Sequence, residues 1–401
     1  MSVLNGKKIL LGVSGGIAAF KTASLVRLFI KSGAEVKVVM TTAAKDFITP
    51  LTLSTLSKNP VHSAFFDTEN ENELWNNHVD LGLWADLMLI APATANTLSK
   101  MSNGASDNFL LACYLSAKCK IYFAPAMDLD MYKHQSTKNS IEKLQRFDNI
   151  LIPATSGELA SGLVGEGRMA EPEDIVQFIE KDILATLPLR NKTVLITAGP
   201  THEAIDPVRY IGNRSTGKMG YRLAHQAANL GAKVILVSGP SNEKITHSFI
   251  ERIDVKSASE MYDIVHQNYT DATIVIAAAA VADYTPATVQ DKKIKKKDAK
   301  LQIDLVPTKD ILASMSKLKK QQFLVGFALE TDNELQNAIG KLQRKNLDLI
   351  VLNSLQDKGA GFATTTNKIT IIDKQEKTTE FPLKSKTEVA KDIFVEILRR
   401  L

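Results

Sequence analysis

The chain contains one structural pattern twice: a strand, a glycine-rich turn, a helix and a second strand. The first copy begins with Lys8-Ile-Leu-Leu-Gly-Val-Ser-Gly and continues, after a helical segment, with Ser32-Gly-Ala-Glu-Val-Lys-Val-Val-Met. The second begins with Lys192-Thr-Val-Leu-Ile-Thr-Ala-Gly and continues, after another helical segment, with Leu230-Gly-Ala-Lys-Val-Ile-Leu-Val-Ser. Two strands joined through a helix lie parallel in one sheet. We therefore predict an α/β chain with two doubly wound, Rossmann-like domains, residues 1–189 and 190–401, joined at Leu187–Arg190.

Composition limits the classes of protein to which the chain can belong. The 401 residues are 44% hydrophobic, but no apolar run reaches membrane length and the N-terminus leads directly into a strand without a signal-peptide core. We therefore expect a cytoplasmic protein that does not enter membranes. The formal charge of +5 is modest for this length and fits a local anion site as well as a nucleic-acid surface.

The two cysteines give no indication of a disulfide or a metal site. Cys113 lies within the apolar helical run Phe109–Leu115, which favours a buried structural thiol over a redox pair with Cys119. No metal-ligand spacing is present in the sequence, so a protein-bound metal is left unassigned.

Three loops of the first half follow apolar strands. They are the turn Gly12–Gly16, the segment Pro92–Asn96 after the strand Leu87–Ala91, and the segment Pro125–Asp128. In doubly wound sheets, ligands collect at the carboxyl ends of the strands, so the three loops are expected to share one pocket. The first turn lacks the third glycine of the dinucleotide fingerprint, which leaves a phosphate or a flavin tail as the expected ligand.

Two further features of the first half have alternative interpretations. His78 precedes Val79, Leu81 and Leu83 at period-two spacing, which indicates a strand edge or loop facing the pocket; a structural and a catalytic role are both open. Residues 156–169 contain four glycines, which suits either a lid that closes over a substrate or a surface hairpin.

The second half has a long strand-to-helix crossing from Thr197 to Gly220. Prolines interrupt regular structure there, and Ser215 is predicted to be the N-cap of a helix whose free N–H groups face an anion. The segment Ser215–Lys218 resembles part of a P-loop, but Gly-x-x-x-x-Gly-Lys-Ser/Thr is not present, so that motif is rejected.

Charged residues later in the second half fit a nucleotide pocket. Asp283 follows the predicted strand Thr273–Ala280 and is placed to bind a base, a ribose or a metal. Lys341 and Lys345 are four residues apart and are expected to share a helical face, where they meet phosphates or solvent. A lysine run is either a solvated loop or a basic loop over a triphosphate, and no aromatic residues interleave it as in single-strand nucleic-acid binding; its members are Lys292, Lys293, Lys295, Lys296, Lys297 and Lys300.

Together these motifs resemble the bifunctional enzymes of coenzyme A biosynthesis in which phosphopantothenoylcysteine decarboxylase is fused to phosphopantothenate–cysteine ligase. The resemblance covers nearly the whole chain. It depends on Gly15–Ala19, His78 before Val-Asp-Leu-Gly, Ala91–Ala95, Pro125–Met127, Ser156–Met169, Asp206–Ile211, Ser215–Gly220, Ala279–Tyr284, Lys293–Lys296 and Lys345–Asp348.

For residues 1–189 the resemblance implies a flavoprotein-type, FMN-dependent decarboxylase. FMN oxidises the carbon that bears the thiol, which makes the neighbouring carboxylate easy to lose. His78 matches the family's active-site histidine, and the residues that match the flavin site are Ser14, Gly15, Gly16, Thr41, Ala93 and Thr94.

Two catalytic positions depart from the family. Asp128 replaces the usual asparagine that holds the substrate carboxylate, and Ser161 replaces the usual cysteine proton donor of the lid. An aspartate repels a carboxylate unless it is protonated or bridged by a cation such as Lys133 or Arg168. Serine is a much weaker acid than a thiol, so it donates a proton only through water or a neighbouring acid. We expect the decarboxylase to remain active.

For residues 190–401 the resemblance implies a ligase that uses CTP and Mg²⁺. The carboxylate of 4'-phosphopantothenate becomes an acyl-cytidylate, which the amine of cysteine attacks. Asn213 and Arg209 match residues near the acyl phosphate, and Lys293 is expected to close over the intermediate. The residues that match the CTP site are Ala278, Ala279, Asp283, Lys293, Phe327, Lys341 and Lys345.

The resemblance also bears on assembly and on the alternatives. It implies a homo-oligomer, with a trimer-based flavin assembly and ligase dimers, possibly a dodecamer. A different interpretation is an active ligase fused to a flavin-binding domain whose decarboxylase activity is lost or altered and whose role is structural or regulatory. Oxidative decarboxylation of a peptide cysteine explains less, because it does not account for an attached ligase.

Overall fold

The computed structural model describes residues 2–66, 75–245, 247–295, 301–330, 332–354 and 364–401. The chain divides into two compact units, Met1–Ala185 and Thr186–Leu401. In the described residues, no helix combines the length and the apolar character needed to cross a bilayer.

The first unit is a parallel six-stranded sheet between helices. Its strands pair in the order β3-β2-β1-β4-β5-β6, and a separate antiparallel hairpin, β7-β8, follows them. The strands are β1 Lys8–Val13, β2 Glu35–Met40, β3 Val61–His62, β4 Leu87–Ala93, β5 Lys120–Pro125, β6 Ile150–Leu151, β7 Thr155–Glu158 and β8 Val164–Arg168. The helices are α1 Thr22–Lys31, α2 Pro50–Ser57, α3 His78–Trp84, α4 Ala95–Ser102, α5 Phe109–Ser116, α6 Leu129–Lys133, α7 Gln135–Arg146 and α8 Pro172–Thr186.

The second unit contains an eight-stranded sheet in the order β13-β12-β9-β14-β17-β18-β19-β20, parallel except at β19 and β20, and two separate antiparallel hairpins, β10-β11 and β15-β16. The strands of the unit are β9 Thr193–Ala198, β10 His202–Ala204, β11 Tyr210–Gly212, β12 Lys233–Ser238, β13 Ile250–Asp254, β14 Ile274–Ala277, β15 Tyr284–Pro286, β16 Leu305–Pro307, β17 Phe323–Glu330, β18 Leu349–Ser354, β19 Thr366–Asp373 and β20 Thr378–Ser385. The helices are α9 Lys218–Asn229, α10 Ala258–Tyr269, α11 Ile311–Leu318, α12 Glu334–Arg344 and α13 Lys386–Leu398.

Both sheets bury apolar side chains on both faces. In β9, Val194 and Ile196 pack with α9 and α13, whereas Leu195 packs on the opposite face with α11 and α12. Continuous apolar strands of this kind are expected where helices cover both faces of a parallel sheet. The prediction of two doubly wound α/β domains is confirmed.

The prediction of a strand or loop edge at His78 is wrong. Residues 78–84 form α3, because the Asn77 side chain caps the helix by accepting hydrogen bonds from the N–H groups of Val79 (3.0 Å) and Asp80 (3.3 Å). Val79 and Leu83 are exposed while Leu81 is buried. The alternating apolar residues therefore do not mark one face of a strand.

The predicted N-cap at Ser215 is also wrong. Helix α9 begins at Lys218, after Gly217 in the left-handed region (φ +80°), and no side chain caps it. The Ser215 hydroxyl instead accepts a hydrogen bond from the Gly217 N–H at 3.2 Å. The crossing before α9 also contains an antiparallel hairpin, β10-β11, which its prolines and glycines did not predict.

The remaining predicted features need smaller corrections. Strand β14 ends at Ala277, so Ala278–Ala280 lie beyond the strand instead of inside it. The glycine-rich segment around Ser161 forms the hairpin β7-β8. Cys113 is a buried free thiol whose pKa burial raises to about 12. Lys296, Lys297 and Lys300 lie outside the described residues.

A glycine sets the packing of the helix that carries His78. A Cβ atom on Gly82 would lie 2.8 Å from the Ser116 carbonyl carbon of α5. We expect Gly82→Ala to destabilise the first unit by roughly 1–2 kcal/mol, because the cost of overpacking exceeds the helix-propensity gain of about 1 kcal/mol. Thermal denaturation of the full chain measures this effect. Gly157→Ala, whose nearest non-neighbouring atom would be the Arg168 guanidinium at 3.4 Å, is the control, and equal melting temperatures for both variants would contradict the prediction.

Two candidate ligand-binding sites

In the first unit, hydrogen bonds join the loops that follow β1 and β4. The buried Ser14 hydroxyl donates to the Pro92 carbonyl oxygen at 2.7 Å and accepts from the Thr94 N–H at 3.1 Å. The Ala126 N–H, after β5, donates to the Ala93 carbonyl oxygen at 3.1 Å. The three loops therefore meet at the carboxyl edge of the sheet, where Ser14, Ala93 and Thr94 lie together; that they share one ligand pocket stays a prediction.

Gly15 allows the turn after β1 to pack closely against Ala43. A Cβ atom at this position would lie 2.6 Å from the Ala43 Cβ and 2.8 Å from the Ala43 carbonyl carbon. Thr41, which ends β2, is held to β1 by its N–H, which donates to the Val13 carbonyl oxygen at 2.9 Å. Gly15, Gly16 and Thr41 therefore belong to the same edge as Ser14.

Among the residues of the first unit that the structure describes, two buried side-chain atoms have no hydrogen-bond partner: Thr41 Oγ1 and His78 Nδ1. Buried polar atoms nearly always form hydrogen bonds. Two buried atoms that lack them are therefore expected where a polar ligand binds. The ring contacts of His78 are with Phe65 (centroids 5.8 Å apart) and Trp75 (6.3 Å). The histidine therefore lies in an aromatic cluster with Phe65 and Trp75.

Asp128 follows β5 and caps α6 by accepting a hydrogen bond from the Leu129 N–H at 2.6 Å. The preceding residue, Met127, donates its N–H to the Gly167 carbonyl oxygen at 3.0 Å, which joins the Asp128 loop to the base of the hairpin β7-β8. Arg168 pairs with Glu171 at 2.7 Å. Asp128 has no salt bridge among the described residues.

Ser161 lies in the turn of the hairpin β7-β8 and is exposed. The turn is closed by main-chain bonds, in which the Gly162 N–H donates to Leu159 and the Leu159 N–H donates to Leu163. Lys133, the other cation considered for Asp128, is exposed at the end of α6. The structure therefore joins Asp128 to the base of the hairpin and places Ser161 at its tip.

In the second unit, one cavity of about 710 Å³ lies at the carboxyl ends of β9, β14 and β17. Two predicted residues, Arg209 and Lys293, are not among those that line it. The cavity is lined by seven of the predicted residues: Asn213, Ala278, Ala279, Asp283, Phe327, Lys341 and Lys345.

Hydrogen bonds between loops shape the cavity. The Asn213 amide donates to the carbonyl oxygens of Ala280 and Val281, both at 3.1 Å. The Thr308 N–H donates to the Asp283 carbonyl oxygen at 2.9 Å, while the Asp283 side chain is exposed. Asn213 therefore ties the β10-β11 crossing to the segment after β14.

The two lysines of the α12 end differ in their surroundings. The Lys341 ammonium donates to the Phe327 carbonyl oxygen at 2.8 Å, and burial lowers its pKa. Lys345, the C-cap residue of α12, forms an ion pair with Asp310 at the start of α11. In Asp310, burial raises the pKa, but the hydrogen bond from Lys345 and other contacts leave it lowered. Both lysines line the cavity, as their shared helical face predicts.

Arg209 and Lys293 belong to a separate anchored segment. The Asp206 carboxylate, whose side chain is fully buried, pairs with the Arg209 guanidinium and accepts the main-chain N–H of Ile294 at 3.1 Å. The Arg209 guanidinium also donates to the Ile294 carbonyl oxygen at 2.9 Å, and its hydrogen bond holds the pKa of Asp206 well below the usual range. Lys293 is exposed next to this anchor.

Several cavity residues were not predicted from the sequence. Asp310 caps α11, with its carboxylate accepting from the Ala313 N–H, and follows the short strand β16. Asn353, near the end of β18, was detectable by the rule that polar residues after parallel strands face ligands. Lys386 and Asn367 carry no such signal, because they lie at a helix start and in an antiparallel strand. Among the described residues, no group of three or more His, Cys, Asp and Glu residues is arranged to hold a metal ion.

Comparison with known proteins identifies two families along the chain. The model of the DNA/pantothenate metabolism flavoprotein C-terminal domain matches residues 189–401, and the flavoprotein family model matches residues 2–184. A cysteine/cysteine sulfinic acid decarboxylase from an unknown prokaryotic organism is 55% identical over 356 residues, which are 88% of this chain and 99% of that protein.

Two further relatives carry one name, coenzyme A biosynthesis bifunctional protein CoaBC. The protein of Bacillus subtilis strain 168 is 45% identical over 397 residues, 98% of this chain and 97% of its own length. The protein of Escherichia coli K12 is 40% identical over 401 residues, 99% of this chain and 98% of its own length. The chain therefore belongs to the family of bifunctional coenzyme A biosynthesis proteins.

Proposed function

We propose that the second unit joins cysteine to 4'-phosphopantothenate with CTP and that the first unit decarboxylates the product with FMN to give 4'-phosphopantetheine. The observation that carries this proposal is the cavity of the second unit, where seven residues chosen from the sequence for CTP or acyl-phosphate binding converge. The names of the CoaBC relatives support coenzyme A biosynthesis as the setting.

In the ligase, a carboxylate has to be activated before an amine displaces its oxygen. We assign the nucleotide to the cavity, with Asp283 at the cytidine and Lys341 and Lys345 at the phosphates. The Lys341 ammonium is half-buried and partly desolvated by the protein, so a bound phosphate compensates for its desolvation. Mg²⁺ enters with CTP, since phosphate oxygens are its usual ligands.

Lys293 and Asn213 act on the acyl phosphate in this proposal. Asn213 is held by two carbonyl oxygens of the segment after β14, which fixes it at the mouth of the cavity. Lys293 is exposed and adjacent to Ile294, which Asp206 and Arg209 anchor. We therefore assign Arg209 the role of holding the segment that carries Lys293, in addition to its proposed place near the acyl phosphate.

Lys293→Gln is expected to slow amide formation more than pyrophosphate release, because the ammonium stabilises charge on the acyl-cytidylate. Quenched-flow measurement of both products in one reaction tests this, and a loss of roughly tenfold or more in amide formation is expected. Lys292→Gln removes the same charge one residue away and serves as the control. Equal losses of both products in Lys293→Gln would contradict the role.

The first unit fits FMN by two observations. Within the described part of this unit, Thr41 Oγ1 and His78 Nδ1 are buried without hydrogen-bond partners, and the Gly15 turn leaves no space for a Cβ atom next to Ala43. We propose that Ser14, Gly15, Gly16, Thr41, Ala93 and Thr94 hold the cofactor. When bound, FMN supplies the two-electron oxidation that prepares the substrate for loss of carbon dioxide.

This chain's own residues then orient the substrate and move protons. His78 lies against the rings of Phe65 and Trp75, and we assign its imidazole the transfer of a proton to or from the substrate. Asp128, next to the hairpin base, faces the substrate carboxylate in the family's arrangement and repels it while ionised. Ser161 lies at the tip of the hairpin β7-β8, and in this proposal water carries the proton between its hydroxyl and the substrate.

The proposal predicts carbon dioxide release when the full chain, loaded with FMN, is incubated anaerobically with 4'-phosphopantothenoylcysteine. Asp128→Asn removes the repulsion of the substrate carboxylate and is expected to lower KM roughly tenfold. Asp130→Asn, an exposed charge two residues further along, is the control. No carbon dioxide from FMN-bound protein would contradict decarboxylation and favour a flavin domain with a structural or regulatory role.

A second candidate function has one supporting observation. The relative at 55% identity is named a cysteine/cysteine sulfinic acid decarboxylase, and this chain carries aspartate and serine at two family positions, Asp128 and Ser161. Under this alternative the first unit acts on a free amino acid. We expect kcat/KM to be higher for 4'-phosphopantothenoylcysteine than for cysteine or cysteine sulfinate in side-by-side carbon dioxide assays. The reverse order would replace the first function with the second.

We further propose a homo-oligomer built from flavin-unit trimers and ligase dimers. The cytoplasmic location expected from the sequence stays a prediction.

A further inference from the structure

Lys21 is a buried cation to which the proposed function assigns no role. It ends the short 3₁₀ helix Ile17–Lys21, which directly follows Gly16, and it is 8% exposed. A lysine is almost never buried to this extent unless its charge is compensated. The Lys21 ammonium donates to the Met169 carbonyl oxygen at 3.0 Å and pairs with the Glu171 carboxylate, also at 3.0 Å. Its charge is therefore compensated by residues from a distant part of the chain.

The partners of Lys21 lie between the hairpin β7-β8 and helix α8. Strand β8 ends at Arg168, α8 begins at Pro172, and Met169 between them is fully buried. Glu171 also accepts a hydrogen bond from the Arg168 guanidinium at 2.7 Å. The hydrogen bond from Lys21 lowers the pKa of Glu171, so the carboxylate keeps its charge at neutral pH. Lys21 therefore holds the chain at the point where it leaves the hairpin.

The 3₁₀ helix that ends at Lys21 begins at the loop proposed to hold FMN. The Gly16 carbonyl oxygen accepts the Ala19 N–H at 2.9 Å, and the Ala19 carbonyl oxygen accepts the Thr22 hydroxyl at 2.6 Å. Ala19 and Thr22 are both fully buried. Residues 16–22 thus form one hydrogen-bonded turn, which couples the position of Lys21 to that of Gly16 over a short path.

The base of the hairpin is also bonded to the Asp128 loop. The Met127 N–H donates to the Gly167 carbonyl oxygen at 3.0 Å, two residues before Met169. Gly167 has φ +140°, and a Cβ atom there would lie 2.4 Å from the Met127 carbonyl oxygen, so the contact leaves no space for a side chain. Two contacts therefore fix the base of the hairpin, one from Lys21 and one from the residue before Asp128.

A gain in stability alone does not explain an ammonium at this position. Burying an ion pair costs desolvation free energy that the attraction often fails to offset, and an apolar side chain of similar volume is frequently at least as stabilising. An apolar side chain would fill the same space without joining a main-chain carbonyl to a carboxylate. The ammonium adds directed hydrogen bonds, which fix the positions of both partners relative to the turn.

We propose that Lys21 is a positioning residue for the decarboxylation assigned to the first unit. Its ammonium holds the base of the hairpin against the turn that begins at Gly16, so the FMN loop and the Asp128 loop keep one relative geometry during the reaction. Lys21 acts through Met169 and Glu171 and does not itself contact the reacting atoms. The inference depends on the function proposed above, because only a reaction that uses both loops requires their alignment.

Anaerobic carbon dioxide release from 4'-phosphopantothenoylcysteine by the FMN-loaded full chain tests this role. Lys21→Met keeps a side chain of similar length and removes the ammonium. We expect kcat to fall roughly tenfold or more, because small misplacements of reacting groups slow the chemical step strongly. The Kd for FMN and the kcat of amide formation are expected to change less than about twofold. Lys31→Met removes one exposed charge from the end of α1 and is the control.

A second variant tests whether Lys21 acts through its partner. Glu171→Gln keeps a hydrogen-bond acceptor for the ammonium but removes the charge, so we expect a smaller loss of kcat. The loss in the double variant is expected to exceed that of Lys21→Met by no more than about twofold, because residues of one network are not additive. Losses that multiply would overturn the proposal. So would weaker FMN binding with unchanged kcat, which would assign Lys21 to cofactor binding.

Hydrogen exchange measured by mass spectrometry separates positioning from general destabilisation and needs no turnover. In Lys21→Met, exchange is expected to rise about tenfold at residues 127–129 and 155–169, while the buried strand β4 keeps its wild-type rate. Faster exchange across the whole unit with a matching fall in melting temperature would indicate a purely structural role and overturn the proposal. A wild-type chain that released no carbon dioxide would refute the proposed decarboxylation, whereas an exchange change confined to these two segments would still support the contact that Lys21 makes with the hairpin.

Discussion

Coverage of both faces of a parallel sheet is the constraint on which both units depend. Because helices bury the faces, main-chain groups without strand partners are left at the strand ends, where loops satisfy them. In the first unit the Ser14 hydroxyl joins two such loops, and in the second the Asn213 amide does so. The same loops that complete the backbone hydrogen bonding therefore form the walls of each site.

The two sites differ in the charged side chains that they contain. The cavity of the second unit is lined by charged side chains of both signs, among them Lys218, Lys341, Lys345, Lys386, Asp283 and Asp310. The loops of the first site offer the hydroxyls of Ser14, Thr41 and Thr94 together with glycines, and Asp128, after β5, has no salt bridge among the described residues. A flat, largely apolar ring with a phosphate tail suits that composition better than a triphosphate does.

Sequence patterns predicted the sheets and the edges where ligands collect, because apolar strands followed by glycine and polar loops have few alternatives in α/β proteins. The patterns failed where a single local feature, such as a capping side chain or a left-handed glycine, determines where a helix begins. Alternating apolar residues after His78 suggested a strand, but the Asn77 cap begins a helix there. Ser215 has the composition of an N-cap, yet Gly217 in the left-handed region starts α9. Lys386 and Asn367 were missed because tertiary packing, not spacing, brings them to the cavity. The roles of the predicted site residues remain proposals.

The anchor formed by Asp206, Arg209 and Ile294 has a consequence for the entropy of catalysis. Ile294 is bound through both its N–H and its carbonyl oxygen, so the residue before it, Lys293, is fixed at the backbone on that side. Because the neighbouring backbone is anchored, the Lys293 ammonium moves mainly by rotation about the bonds of its own side chain. In the reaction proposed for the second unit, less conformational freedom therefore has to be lost when Lys293 meets a reacting group.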